Sequence, residues 1–231
     1  MSVAVDLTGL VLPEALEELK RSADGNRASV LLQPLERGFG HTIGNSVRRI
    51  LLSSLPGSAV WAFRSDGVQH EHQTIGGVAE DVHQVIQNLK GLVLRLDPDV
   101  DEAKLELSVH EAGPVTAARI TKHPGAEIVN RDHLLFTLQE DFPKSRPLTM
   151  DFWVNRGRGF VMADQHEVPG ADDLERAEKE YPVGMIRIDS QYNPVVRANF
   201  SVRETRVGQR TDFDRLEVDV ETNGALDPGD A

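Results

Sequence analysis

The chain has 231 residues, 39% hydrophobic and 27% charged, with a formal charge of −12. That describes an ordinary globular protein with length for one large domain or two small ones, and it argues against a stand-alone grip on nucleic acid, which needs a basic patch to release phosphate counterions. The absence of cysteine excludes disulfides and thiolate-held metals, and no run approaches the roughly 20 apolar residues of a membrane helix. Met1–Lys20 lacks the basic start and apolar block of a secretory signal, so a cytoplasmic protein without a membrane role is expected.

In chain order, Pro13–Arg21 reads as a short helix ending in the turn Ala23-Asp-Gly-Asn26. Ser29–Leu35 alternates as a strand. A glycine-punctuated loop then leads into an amphipathic helix from about Thr42 to Ser54, stopped by Pro56-Gly57. Its apolar residues Ile43, Val47, Ile50 and Leu51 recur at helical spacing, with Arg48 and Arg49 on the flank. Ser58–Ser65 is a strand closed by the Asp66-Gly67 turn. In the next helix Val78, Val82, Val85, Ile86 and Leu89 share one face, and Gly91 is its expected cap. Strands are then predicted at Leu92–Leu96, Lys104–His110, Ala117–Thr121, Leu134–Gln139 and Leu148–Asn155, separated by Pro/Gly/Asp turns. Val168–Glu180 reads as a loop or short surface helix, and the last strands are expected near Met185–Asp189, Val195–Val207 and Leu216–Thr222. This order predicts an α+β fold. Asp227-Pro228 is a helix-start pair, three residues before the chain stops.

Four strings invite a chemical reading. Gly38-Phe-Gly40-His-Thr-Ile-Gly44 has the look of a dinucleotide fingerprint, but it carries one residue too many and no acidic partner at the expected distance. Glycines that let the backbone enter a helix tightly are the plainer account. Asp97, Asp99 and Asp101 alternate as divalent-metal ligands can, yet no EF-hand glycine follows, so a solvated acidic turn is expected. His70 and His72 would share a strand face, but no third zinc ligand is recognisable from spacing. Arg156-Gly-Arg-Gly159 suits a phosphate, a partner's acidic surface or a tight turn. No catalytic constellation emerges, so no catalytic residue, metal or cofactor is assigned to the chain.

The string Leu35-Glu-Arg-Gly-Phe-Gly-His-Thr-Ile-Gly-Asn-Ser-Val-Arg-Arg-Ile-Leu-Leu-Ser-Ser54 closely resembles the signature of the bacterial RNA polymerase alpha subunit, in its N-terminal assembly region. Further similar blocks follow in family order, among them Asp66-Gly-Val68, Gly77-Val-Ala-Glu-Asp81, Asn88-Leu-Lys-Gly91, Gly113-Pro-Val-Thr-Ala117, Tyr192-Asn-Pro-Val195, Arg206-Val-Gly-Gln-Arg-Thr-Asp212 and Glu221-Thr-Asn-Gly224. Together they cover about residues 28–228.

The resemblance implies a discontinuous dimerisation lobe, 1–56 with 184–231, and an inserted β-rich lobe, 57–183. It implies a homodimer seam at Phe39, Ile43, Val47, Ile50 and Leu51, contact with the beta subunit at Arg49 and Leu52, and contact with beta prime at Lys90, Ile188 and Arg206. For Leu52 and Ile188 core packing is an equal alternative to partner contact. The family's alpha dimer is a non-catalytic scaffold. Catalytic Mg²⁺ sits in the large subunits, omega and sigma join in the holoenzyme, and this region touches DNA little or not at all. A nucleoid-associated bacterial location is implied as well. Family members continue past the Thr-Asn-Gly segment with a helix, a linker and a C-terminal domain, so the chain reads as the N-terminal region alone. The competing readings are an archaeal- or eukaryotic-type assembly subunit, or a stand-alone dimerisation protein of the same fold.

Overall fold

The computed structural model describes Pro13 and residues 16–167 and 183–231. The elements run β1 (Leu16–Arg21), β2 (Arg27–Leu35), α1 (Phe39–Ser53), β3 (Pro56–Ser65), α2 (Val82–Lys90), β4 (Leu94–Leu96), β5 (Glu102–Val109), β6 (Gly113–Thr116) and β7 (Ala126–Ile128). They continue as β8 (Leu134–Leu138), β9 (Leu148–Arg158), β10 (Phe160–Val161), β11 (Ile186–Arg187), β12 (Ser190–Gln191), β13 (Val195–Val207) and β14 (Arg210–Thr222). Every strand pairing is antiparallel. With two α-helices beside these sheets among the described residues, the fold is α+β. No helix among the described residues is long and apolar enough to cross a membrane.

The chain divides into two compact units, Met1–Leu55 with Pro194–Ala231, and Pro56–Asn193. In the first, the sheet order is β1-β2-β14-β13. The hairpin β13–β14 is its spine, turning at Gly208, whose φ of 62° suits glycine. Leu216, Val218 and Val220 alternate onto one face of β14, and Ala198, Phe200 and Val202 onto the same side of β13. Helix α1 covers that face, adding Leu51 to the core and packing Ile43 and Val47 against it.

Two glycines set how closely the helix sits. A Cβ on Gly44 would lie 2.5 Å from the Phe200 ring, and one on Gly40 would lie 2.7 Å from Val202 Cγ1. Gly38, at φ 87°, opens the helix without a side-chain cap of its own. The cap comes from β14. Asp214 projects from the same face as Leu216, and its Oδ2 accepts the N–H groups of Gly38 at 2.8 Å and Gly40 at 3.0 Å. A carboxylate there satisfies donors that the helix cannot pair internally and faces the positive end of its dipole.

The second unit holds a six-stranded sheet, β5-β9-β3-β4-β7, with β11 paired to β3 beside Phe63. Strand β3 is buried on both faces: Val60 and Phe63 join the main core, whereas Trp61 and Ala62 pack with Trp153. The register shift between Val60 and Ala62 produces that split. Helix α2 contributes Val82, Val85, Ile86 and Leu89 to the main core. It starts at a reciprocal cap, Asp81 accepting from Gln84 N at 2.7 Å while Gln84 Oε1 accepts from Asp81 N at 3.2 Å.

Several expectations are corrected. Of the helix expected at Pro13–Arg21, Leu16–Arg21 is instead the edge strand β1, paired with β2, because a single isolated turn or two lacks the packing that pairing supplies. Helix α1 begins at Phe39, three residues before its predicted start, since Asp214 reaches over to cap it. Val78 lies before α2 and is buried beside Leu138. Ala117–Arg119 is a 3₁₀ turn rather than a strand. Residues 184–193 fall in the second unit, where Ile186 and Ile188 complete its core, rather than with the first lobe. The segment Val168–Glu180 lies outside the described residues.

Gly44→Ala tests the close approach. Alanine is the better helix former by about 1 kcal/mol, yet overpacking against Phe200 is expected to outweigh it and destabilise the protein by roughly 1–3 kcal/mol. Adding Phe200→Leu should recover part of the loss in a denaturant titration. A Gly44→Ala variant as stable as the parent contradicts the packing account.

Candidate assembly surface

The expected seam residues do not form one surface. Gly40, Gly44 and Leu51 define the buried line of α1, and Ile43 and Val47 are partly covered beside it. Phe39 and Ile50 stay 52% and 55% exposed. Eleven residues apart, they lie within about 20° of each other around the helix, so they make a short apolar flank. Leu51, at 5% exposure, belongs to the chain's own core and is removed from any intermolecular contact.

The two arginines also separate. Arg48 turns toward the sheet and its Nε donates to the Ala198 carbonyl at 3.0 Å, tying α1 to β13. Arg49 points outward and has no ion pair among the described residues. Leu52, 37% exposed, lies about 60° from it around the helix. An unpaired guanidinium beside an exposed leucine suits a partner that offers carboxylates and an apolar rim.

In the second unit Lys90 ends α2, and its Nζ donates to Asp189 Oδ2 at 2.9 Å. Asp189 Oδ1 also accepts the Ala163 N–H at 3.0 Å. Ile188, 2% exposed, is core: its N–H donates to the Trp61 carbonyl at 2.8 Å and it packs with Phe63 and Ile186 in the main cluster. The expected contact of Ile188 itself with a partner is therefore corrected, because its side chain has no surface to offer. Arg206 is in the first unit, on β13 near the hairpin tip, where its Nε donates to the Gly208 carbonyl at 2.7 Å.

The glycine, aspartate and arginine strings each have a place in the fold. Gly38, Gly40 and Gly44 serve the helix start and its seat on the sheet. Asp97, Asp99 and Asp101 are exposed in a turn, and Arg156 ties that turn down through the carbonyls of Leu96 and Asp97. Gly157 lies under Tyr192, where a Cβ would come within 2.7 Å of the ring. Among the described residues no group of three or more His, Cys, Asp or Glu side chains is placed to hold a metal ion. Sequence reasoning missed Asp214 and Asp189. Asp214 was legible as a lone carboxylate in register with Leu216, Val218 and Val220; Asp189 carried no such signal.

The Lys90–Asp189 pair makes a pH-dependent prediction. The hydrogen bond from Lys90, then that from the Ala163 N–H, holds Asp189 below its ordinary 3.8. A depressed folded value means the pair adds stability above pH 3.8, and that contribution is lost as pH falls through the lower folded value. Carboxyl-carbon NMR should find the Asp189 midpoint below 3.8 and see it rise in Lys90→Met. A midpoint indifferent to that substitution contradicts the assignment.

Residues 62–193 match the RNA polymerase Rpb3/RpoA insert domain, more than half of the chain. The matched stretch begins after α1 ends, so it does not draw on the glycine-punctuated string that first suggested the family. It spans β4 to β12, both partners of the Lys90–Asp189 pair and nearly all of the second unit. The chain belongs to the RNA polymerase Rpb3/RpoA insert-domain family and is the N-terminal region of an alpha-type RNA polymerase assembly subunit.

Proposed function

We propose that this chain is the assembly scaffold of a bacterial-type DNA-directed RNA polymerase. Two copies pair through the Phe39–Ile50 flank of α1. The beta subunit docks on Arg49 and Leu52, and beta prime docks on the Lys90–Asp189 edge and on Arg206. The observation that carries this reading is the partition of α1: one line of the helix is consumed by its own sheet, leaving an apolar flank and a separate flank whose Arg49 has no ion pair among the described residues.

A scaffold needs no chemistry of its own. Nucleotidyl transfer and Mg²⁺ belong to the large subunits in this reading, with omega and sigma joining the assembled enzyme in the cytoplasm. The net charge of −12 supports protein rather than DNA partners for this region. Family blocks spread through residues 57–183 favour the bacterial type over the Rpb3-like relatives that the family description also embraces.

The test is recovery of the beta subunit by Arg49→Ala. The arginine is exposed and unpaired among the described residues, so folding should be unchanged. Binding should weaken by on the order of 2 kcal/mol, as truncated hot-spot arginines do. Undiminished recovery of beta in a co-purification would sink the assignment of Arg49.

A further inference from the structure

The segment His70-Glu-His72 does not lie on a strand; it folds back onto the first turn of α2. There His72 Nδ1 lies 3.0 Å from Nε2 of His83, with ring centroids 5.1 Å apart. Both residues are exposed. Their backbones are well braced. Gln73 Oε1 accepts the Gln69 N–H at 2.6 Å, the Gln73 carbonyl accepts the Val82 N–H, and Thr74 bridges to Asp81. His83 sits one residue inside the reciprocal cap of α2. On the other side of the His72 ring, Glu71 Oε1 is 3.8 Å from Nε2.

We propose that His72 and His83 form a two-imidazole site for a divalent transition-metal ion of the copper(II) or nickel(II) kind, with water in the remaining positions. At metal–nitrogen distances of about 2.05 Å, nitrogens 3.0 Å apart subtend roughly 95° at the ion. That is the cis angle of tetragonal coordination, narrower than the tetrahedral angle of structural zinc. In this contact one nitrogen donates its N–H and the other accepts with its lone pair, and an ion binds both once each neutral ring carries its proton on the far nitrogen. Each exposed ring turns about a broad sp³–sp² torsion, so a modest rotation aims both at one ion in the proton's place. The absence of a converging third His, Cys, Asp or Glu among the described residues makes this an open site rather than a closed structural one.

The test uses tag-free protein titrated with Cu²⁺ in a non-coordinating buffer, followed by electron paramagnetic resonance and calorimetry. One principal ion per chain is expected, with hyperfine structure from two nitrogens. His72→Ala or His83→Ala should each weaken that ion by about tenfold or more, since even outer-shell partners of metal ligands are worth 10–100-fold, whereas His110→Ala should not. Metal-free melting of all three variants should match the parent, because none of these side chains is buried in the core. A one-nitrogen spectrum in the parent, or binding indifferent to His72 and His83, overturns the proposal.

Discussion

What α1 offers to a partner depends on how the helix is seated, and that seat is a close contact between two glycines and a sheet. With no Cβ at Gly40 or Gly44, the helix backbone settles against Val202 and Phe200. Interiors packed at crystal-like density do not yield to an added methyl group. Asp214 then fixes the start of the helix through the N–H groups of Gly38 and Gly40, and Arg48 fixes its middle through the Ala198 carbonyl. Three anchors on one side leave the helix a single rotational setting. That setting, more than hydrophobicity, decides that Phe39 and Ile50 face outward while Leu51 is spent on the core.

The legible part of the fold was the part written in periodicity. The spacing of Val82, Val85, Ile86 and Leu89 located α2, and alternation in Ser29–Leu35 located β2. What periodicity could not show was where a helix finds its cap. Gly38 and Asp214 are 176 residues apart and meet only through the sheet, so the first turn of α1 went unread. Edge strand β1 failed for a related reason: its burial pattern is exposed throughout, leaving no apolar alternation to announce it. The cap of α2 was available in Asp81-Val-His-Gln84, since both halves of its reciprocal bond lie three residues apart.

The candidate surface was legible in outline and blurred in detail. A stripe of apolar residues on a helix is a single object in sequence, but a sheet can consume one edge of it and leave the other. Ile43 and Val47 are the residues on the boundary, half covered by their own core. Lys90 was legible only as part of a family block; its ion pair with Asp189, from a strand end 99 residues away, is a tertiary fact. Ile188 illustrates the opposite hazard, an aliphatic residue in a motif whose place turns out to be in the core beside Phe63. Asp97, Asp99 and Asp101 lie exposed in a turn that Arg156 ties down through the Leu96 and Asp97 carbonyls.

The central claim is that the outward flank of α1 joins two copies of the chain. Sedimentation equilibrium on the parent and on a Phe39→Asp, Ile50→Asp variant addresses it most directly, because both side chains are exposed and the charges leave the core of the unit untouched. The account predicts a dimeric parent and a folded, monomeric variant. A parent that stays monomeric at high concentration, or a variant that still dimerises, would contradict it.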